Sequence, residues 1–517
     1  MLPVFTAAEM RALDRRAVAE LGIPSATLME NAGRGAAAGI IELLPALGVS
    51  RRSARVAIVC GKGGNGGDGF VVARWLRRRG LQPVVLLASR PEDITGDASD
   101  KLAALRRAGV RPSVIEDVGR AAARISESHV VVDALLGTGA RGAPTGLTAT
   151  LIEHVNASGR PVVALDIPSG LPADGGAPAG PAIRAVATFT FAGLKYGLAQ
   201  PPGLDYAGRV TVVPIGIPDA EVSRGIRAWV IERADVAALF PPRPREAHKG
   251  TYGHLLIVGG SLGKTGAAAL ASRAAMRTGA GLVTTATAAS QQPIVAGLVV
   301  EGMTEPLAET AVGGVALAAR ERVLELSAAR DAVALGPGLG LDPDTQELVR
   351  RLAREIDRPL VLDADALTAI AGRLDLLRDA PAARCLTPHP AEMARLMGTS
   401  VADVQRDRVA AARAVAGGYG VHVVLKGAIT VIAAADGRVF LNPTGNPGMA
   451  SGGTGDVLTG MVGALLAREM PPPDALVAAV YLHGLAGDLA AARLGEASLI
   501  ASDLIESLPD AFAALRA

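Results

Sequence analysis

Short, continuously apolar runs recur along the chain, separated by segments whose apolar positions fall at helical spacing. The first helix opens at Thr6: Thr6-Ala7-Ala8-Glu9 fits a capping box, and Met10, Leu13 and Ala17 follow on one face. Residues 55–60 (RVAIVC), 83–88 (PVVLLA), 129–136 (HVVVDALL), 161–167 (PVVALDI) and 210–215 (VTVVPI) predict strands. A glycine-rich loop follows the first of them and leads into a helix over 69–79. Strands apolar on both faces, with helices between them, indicate a parallel sheet covered on both sides.

The alternation breaks over 217–240, and Pro241-Pro242-Arg243-Pro244-Arg245 has the composition of a linker. It resumes at 253–259 (GHLLIVG) and continues through 332–335, 359–362, 383–387 and 421–425. Segments 430–435 and 437–441 predict a hairpin turning at Asp436-Gly437. An apolar helix over 457–467 and alanine-rich helices follow, and no fixed-period repeat is present. The chain reads as two α/β domains, 1–222 and 223–517.

Composition narrows the function. Half of the 517 residues are apolar and 20% are charged, enough for sizeable cores and against disorder. A net charge of +2 with 3% aromatics gives neither the basic footprint nor the stacking platform of a nucleic-acid binder. It gives membranes no polybasic handle either. Cys60 and Cys385 are too few for a disulfide scaffold and are expected as reduced core residues. Glu9, Arg11, Asp14, Arg15 and Arg16 interrupt any N-terminal secretory signal. The uncharged stretch 278–300 contains Ser290, Gln291, Gln292 and Pro293 and is not expected to span a membrane. A cytoplasmic protein is the expectation. Only six of the 52 basic residues are lysines, and five of those lie near glycine-rich stretches, where arginine would not serve.

Two glycine motifs are refused. Gly61, Gly63 and Gly66 satisfy G-x-G-x-x-G, but the next strand ends at Leu87-Ala88-Ser89 with no acidic residue for a ribose diol. That argues against a hydride-transferring enzyme, although the loop still offers helix-start amides to an anion; a tight structural turn is the alternative. Gly259-Gly260-Ser261-Leu262-Gly263-Lys264-Thr265 misses the Walker A spacing by one residue, Val258 standing where the first glycine is needed.

Other constellations carry chemistry. In 446–456 (NPGMASGGTGD), Gly453, Thr454 and Gly455 expose amides where phosphoryl oxygens develop charge, and a helix start adds its dipole. Asp456 can take the proton of a hydroxyl attacking phosphorus; a plain N-cap is the alternative. Residues 335–340 (LGPGLG) form a second post-strand loop, and Lys426-Gly427-Ala428-Ile429-Thr430 can present a cation and amides to a nucleotide. His389 is either a site residue or a helix entry.

These pieces resemble the ribokinase-like superfamily, in its branch containing ADP- or ATP-dependent NAD(P)H-hydrate dehydratase. The matching elements run in family order: His248-Lys249-Gly250, Gly259-Gly260-Ser261, Thr265-Gly266-Ala267, Gly336-Pro337-Gly338, Asp363-Ala364-Asp365, Thr387-Pro388-His389, Lys426-Gly427 and Gly453-Thr454-Gly455-Asp456. The N-terminal half resembles the NAD(P)H-hydrate epimerase domain through Asn31-Ala32-Gly33, Asn65-Gly66-Gly67-Asp68-Gly69, Asp133-Ala134-Leu135-Leu136-Gly137-Thr138-Gly139, Asp166-Ile167-Pro168-Ser169-Gly170 and 188–197 (TFTFAGLKYG). Gly61-Lys62-Gly63 stands where that family usually has a proline.

The resemblance implies an N-terminal Rossmann-like three-layer sandwich and a C-terminal ribokinase-like α/β/α domain. It implies epimerisation of the R and S forms of hydrated NADH and NADPH (NADHX and NADPHX). It also implies dehydration of the S form to NAD(P)H at the expense of ADP, giving AMP and phosphate, with Mg²⁺ accompanying the nucleotide. By the same resemblance, K⁺ sits on Asn65, Asp133 and Ser169, and Gly137, Thr138, Gly139, Ala140, Arg141, Gly142 and Ala143 wrap a substrate that also meets Asn65, Gly66, Gly67 and Asp68. Asp166 and Lys195 are the acid/base candidates, loop-capping and surface-lysine roles being the alternatives. Ala267, Gly338, His389 and Asp456 contact the hydrate; Lys426, Gly427, Ala428, Ile429, Thr430, Gly453, Thr454 and Gly455 hold the nucleotide. A homo-oligomer is expected. A kinase of a vitamin-precursor alcohol, or an N-terminal half reduced to a ligand-binding scaffold, remain the competing readings.

Overall fold

The computed structural model describes residues 1–516. They fall into two compact units, Leu2–Ile226 and Arg227 onward. The proline-rich run at 241–244 lies inside the second unit, where the Arg243 guanidinium stacks 4.0 Å from the Tyr252 ring centre.

The first unit carries β1 (Leu2–Phe5), β2 (Arg55–Cys60), β3 (Gln82–Leu87), β4 (Ser113–Val114), β5 (Val130–Ala134), β6 (Val162–Leu165), β7 (Ala187–Phe191), β8 (Leu194–Lys195) and β9 (Arg209–Val213). Seven of them form a parallel sheet in the order β4-β3-β2-β5-β6-β7-β9. β1 pairs with β8, placing Phe5 beside Lys195. The pleat sorts β2 between two cores: Val56, Ile58 and Cys60 pack on one face, Ala57 and Val59 on the other. That is the expected three-layer sandwich. The Thr6 capping box forms, Glu9 N donating to Thr6 Oγ1 at 3.1 Å and Thr6 N to Glu9 Oε2 at 2.7 Å.

The second unit carries β10 (Ala228–Val230), β11 (His254–Val258), β12 (Leu282–Ala288), β13 (Met303–Leu307), β14 (Ala332–Leu335), β15 (Leu360–Leu362), β16 (Arg384–Leu386), β17 (His422–Leu425), β18 (Thr430–Ala433) and β19 (Val439–Asn442). Their order is β13-β12-β11-β14-β15-β16-β17-β18-β19-β10, with the predicted hairpin β18–β19 supplying antiparallel pairs. The helix Pro472–Leu494 is long and apolar enough to cross a membrane, but 67% of its apolar window is buried among Thr265–Thr278, Thr454–Ala467 and Ala501–Ala514. Core packing accounts for its composition. Cys60 and Cys385 are free and buried, and burial pushes the Cys385 thiol up to about 12.

Three local expectations change. The helix after β2 starts at Gly64, inside the glycine run rather than after it. The region 217–240 contains β10, which pairs with β19. The stretch 278–300 supplies β12, whose threonines are buried, and the short helix Gln292–Leu298.

Candidate active sites

In the first unit the site residues sit at the carboxyl ends of parallel strands, where open α/β sheets bind ligands. A cavity of about 820 Å³ is lined by Asn65 and Asp68 of the helix after β2, by Gly137, Thr138, Gly139 and Ala140 beyond β5, and by Asp166 and Lys195. Asp14 and Met10 of the first helix also reach it.

Lys195 is 1% exposed, not a surface lysine. Its ammonium donates to Asp166 Oδ1 at 2.5 Å, to Thr190 Oγ1 at 2.9 Å and to the Phe191 carbonyl at 2.9 Å, which uses all three protons. Asp166 adopts φ +62°, a left-handed conformation disfavoured for a non-glycine residue. Ala364 (φ +49°) and Ile429 (φ +52°) share this feature, and both lie in loops of the other site.

Behind the cavity, Asn65, Asp133 and Ser169 meet around Leu136. Ser169 donates to Asp133 through its hydroxyl (2.6 Å) and its amide (2.8 Å), accepts from the Leu136 amide at 2.9 Å, and Asn65 Nδ2 donates to the Leu136 carbonyl at 2.8 Å. Asn65 Oδ1 is buried with no hydrogen-bond partner. An orphaned oxygen beside a buried carboxylate and a hydroxyl is a donor set that fits a hard monovalent cation. Burial pushes the Asp133 carboxyl up to about 6 against the bonds from Ser169 and Leu135.

The cavity wall skips Gly66 and Gly67. A Cβ on Gly66 would lie 2.0 Å from the Gly61 carbonyl and one on Gly67 2.7 Å from Met29 Sδ, so both serve helix packing. Arg141 and Gly142 line a neighbouring cavity of about 450 Å³ that shares Leu136, Gly137, Thr138 and Ala140; Ala143 lines neither.

In the second unit the centre is Asp363, 1% exposed at the end of β15. Lys426 Nζ donates to Asp363 Oδ1 at 2.9 Å, and Thr459 of the helix Thr454–Ala467 donates to Oδ2 at 2.6 Å. Burial opposes charge on both partners, but each holds the other ionised: Asp363 lies below its ordinary value and Lys426 above. Glu392 stands 3.9 Å from Lys426. A Cβ on Gly455 would approach Lys426 Nζ to 3.2 Å, so the glycine there leaves the cation uncovered.

Asp456 lies in the first turn of the same helix, yet Gly453 is its N-cap and no side-chain cap bond forms. Burial, with Asp363 adding to it, pushes the Asp456 carboxyl up to about 7 against the pull of Lys426. The half-buried imidazole of His483 donates from Nε2 to the Thr454 carbonyl at 2.9 Å and so holds the helix start.

The remaining loops converge on the same centre. Asp365 accepts from the Gly340 amide at 2.8 Å and from Lys264 at 3.1 Å. Gly338 (φ +63°) packs so closely that a Cβ would sit 3.1 Å from that of Ala267. Gly427, Ala428, Ile429 and Thr430 form one turn, with Thr430 Oγ1 donating to the Gly427 carbonyl at 3.1 Å. The buried Arg408 guanidinium braces that turn through the Leu425 and Lys426 carbonyls (2.9 and 3.1 Å). His389 is a helix entry: its Nδ1 accepts from the Ala391 and Glu392 amides at 3.1 and 3.3 Å, and its Nε2 stands 3.5 Å from Glu392 Oε1. Sequence reasoning gave no role to Asp363, Glu392, Asp365 or Arg408. Asp363 and Asp365 stood inside a matched motif and Glu392 three residues beyond one, whereas nothing in the pattern marked Arg408.

Residues 255–510 match a family model described as NAD(P)H-hydrate dehydratase, and residues 25–197 one described as YjeF-related protein N-terminus. A relative from Moorella thermoacetica, named bifunctional NAD(P)H-hydrate repair enzyme Nnr, is 44% identical over 98% of this chain and 95% of its own length. The protein of that name from Escherichia coli is 34% identical over 98% and 93%. The crystal structure of ADP/ATP-dependent NAD(P)H-hydrate dehydratase from Bacillus subtilis, co-crystallised with ATP and Mg²⁺, aligns with a TM-score of 0.50 at 34% identity. It covers 55% of this chain and 98% of that one.

Proposed function

The chain belongs to the family of bifunctional NAD(P)H-hydrate repair enzymes, and from that premise we propose how its two units divide the work. The enzyme joins an NAD(P)H-hydrate epimerase to an ADP/ATP-dependent NAD(P)H-hydrate dehydratase. The hydrate carries a hydroxyl on C6, a ring carbon bonded to nitrogen. The nitrogen lone pair expels that hydroxyl once it is protonated, and water returning to the other face of the flat cation interconverts R and S. The Lys195–Asp166 pair carries proton transfer at the ring in the first unit.

In the second unit Asp456 takes the C6 hydroxyl proton as the oxygen attacks the terminal phosphorus of ADP. AMP departs, the phosphate ester leaves C6 with the nitrogen's help, and loss of a C5 proton gives NAD(P)H. Lys426 and the 453–455 amides face the transferring group. What carries this reading is Asp456 itself: a carboxyl at a helix start, bound to nothing as a cap and poised near neutral pH. Purified (S)-NADHX with ADP should yield the reduced dinucleotide absorbance and AMP in equal amounts; neither product forming would overturn it.

Two ions complete the proposal. K⁺ would be held by Asn65 Oδ1, Asp133 and Ser169, where it neutralises a buried carboxylate. Asp133→Ala should lower epimerisation about tenfold or more and abolish any K⁺-dependent rise in the thermal midpoint; full activity in K⁺-free buffer would refute the site. Mg²⁺ enters with the nucleotide, held mainly by phosphates, because no cluster of three His, Cys, Asp or Glu forms among the described residues.

The units are proposed to work independently in the cytoplasm: 2–226 and 227–517 expressed apart should each keep one partial reaction, and loss of both would refute independence. Self-association is supported by exposed Ile294, Leu298, Val300 and Met303 around β13, an edge strand of its sheet. Sedimentation should show more than a monomer.

A further inference from the structure

We propose that Asp14 of the first helix is a second proton-carrying residue of epimerisation, acting from a different element than the Lys195–Asp166 pair. The proposal rests on the epimerase reading above. Inverting a carbon by loss and return of water needs proton transfer on both faces of the ring. The Lys195–Asp166 pair is one hydrogen-bonded locus, fixed by the Thr190 and Phe191 bonds, so it serves one face.

The 820 Å³ cavity has another wall. Met10, Asp14 and Val18 line it from successive turns of the helix Ala7–Ala19, and Asp14 is the polar member of that stripe. The helix is held by its capping box and by buried Leu13 and Ala17, which fixes the face that Asp14 shares with the cavity. Carboxylates on helices are commonly spent on caps and ion pairs. Among the described residues Asp14 makes no side-chain hydrogen bond or salt bridge.

The charges around Asp14 fit a proton carrier. Asp68, Asp166 and Lys195 line the same cavity and act on it, Lys62, Asp93 and Asp97 line it too, and Arg15 follows Asp14 on its own helix. Asp14 is exposed on its outer side, and where its carboxyl meets the cavity wall desolvation first, then Asp166, hold it above its ordinary value, against Lys195 and Arg15. Five carboxyls and two lysines line this cavity, and the buried Asp68 is likewise held above its ordinary value, so the acidic side of the cavity favours retained protons. Asp14 gives its proton to the departing hydroxyl as the C6–O bond breaks and the C6–N double bond forms. Water adds at the other face, forms the new C6–O bond and gives a proton to Asp166. The reverse reaction exchanges the roles, and nothing is oxidised or reduced.

The test is Asp14→Asn in the full chain, with ADP withheld and K⁺ present, following (R)-NADHX to (S)-NADHX by chromatography. Epimerisation kcat should fall about a hundredfold or more, with KM within about threefold of wild type. The pH–rate profile should lose one limb, and Asp14→Glu should recover at least about tenfold. ADP-dependent dehydration of (S)-NADHX should match wild type. A wild-type epimerisation rate in Asp14→Asn overturns the proposal, as does a loss that Asp14→Glu shares in full. A wild-type chain that does not interconvert the hydrates removes the epimerase reading, and this proposal with it.

Discussion

Asp456→Asn should lower nucleotide-dependent dehydration by at least about a hundredfold in kcat while epimerisation continues at the wild-type rate. The substitution keeps the volume of the side chain and removes only its basicity. No cap bond is lost, because Asp456 makes none. The carboxyl is held at about 7 by burial and by Asp363, so the working base is the ionised form above that value. Wild-type dehydration should therefore rise with pH through about 7 and level off, and the variant's residual rate should lack that rise. Stability moves the other way. A carboxyl whose folded value is raised contributes stability below its unfolded value, about 4, and loses it as pH climbs through 7. Asn avoids the loss, so the variant should be more stable than wild type at pH 8 and nearly equal to it at pH 4. A variant that dehydrates (S)-NADHX at the wild-type kcat would reduce Asp456 to a residue of the helix start.

The sequence was most legible where burial was two-sided. β2, β11 and β14 are nearly continuous apolar runs because helices cover both faces, and such runs announce themselves. β12 was missed because LVTTATA buries threonines, whose hydroxyls bond inside the core: Thr285 to Ser272 at 2.6 Å and Thr287 to the Gly260 carbonyl at 3.0 Å. Glycines were misread in the first loop. Residues 64–69 are helical, and the missing side chains of Gly66, Gly67 and Gly69 admit Gly61, Met29 and Ala134, while Gly64 lines the cavity. The candidate sites followed the same division. Lys426 was legible from the strand and the glycine that flank it, whereas Asp166 was marked only through the family resemblance. Asp14 lies in a run of charges that reads as a solvated helix face, and only the tertiary fold turns one of them into a cavity.

Lys195→Met should abolish epimerisation and also destabilise the first unit, and the two effects should be separable. The wild-type ammonium is 1% exposed and meets a carboxylate, a hydroxyl and a carbonyl. Removing it leaves Asp166 partly buried without a counter-charge and strands two acceptors. Breaking a buried pair from one side typically costs about 3–5 kcal/mol, on the order of 10 °C in the midpoint of a unit this size. Removing both charges costs less, because no uncompensated ion remains. Lys195→Met combined with Asp166→Asn should thus regain much of the lost stability, while epimerisation stays down by about a hundredfold or more because no proton carrier returns. Calorimetry of the single and double variants, with a hydrate interconversion assay on the same preparations, reads both quantities. Equal stability of Lys195→Met and wild type would show that the pair does not bear charge in the folded protein. Recovery of epimerisation in the double variant would show that it does not carry the proton.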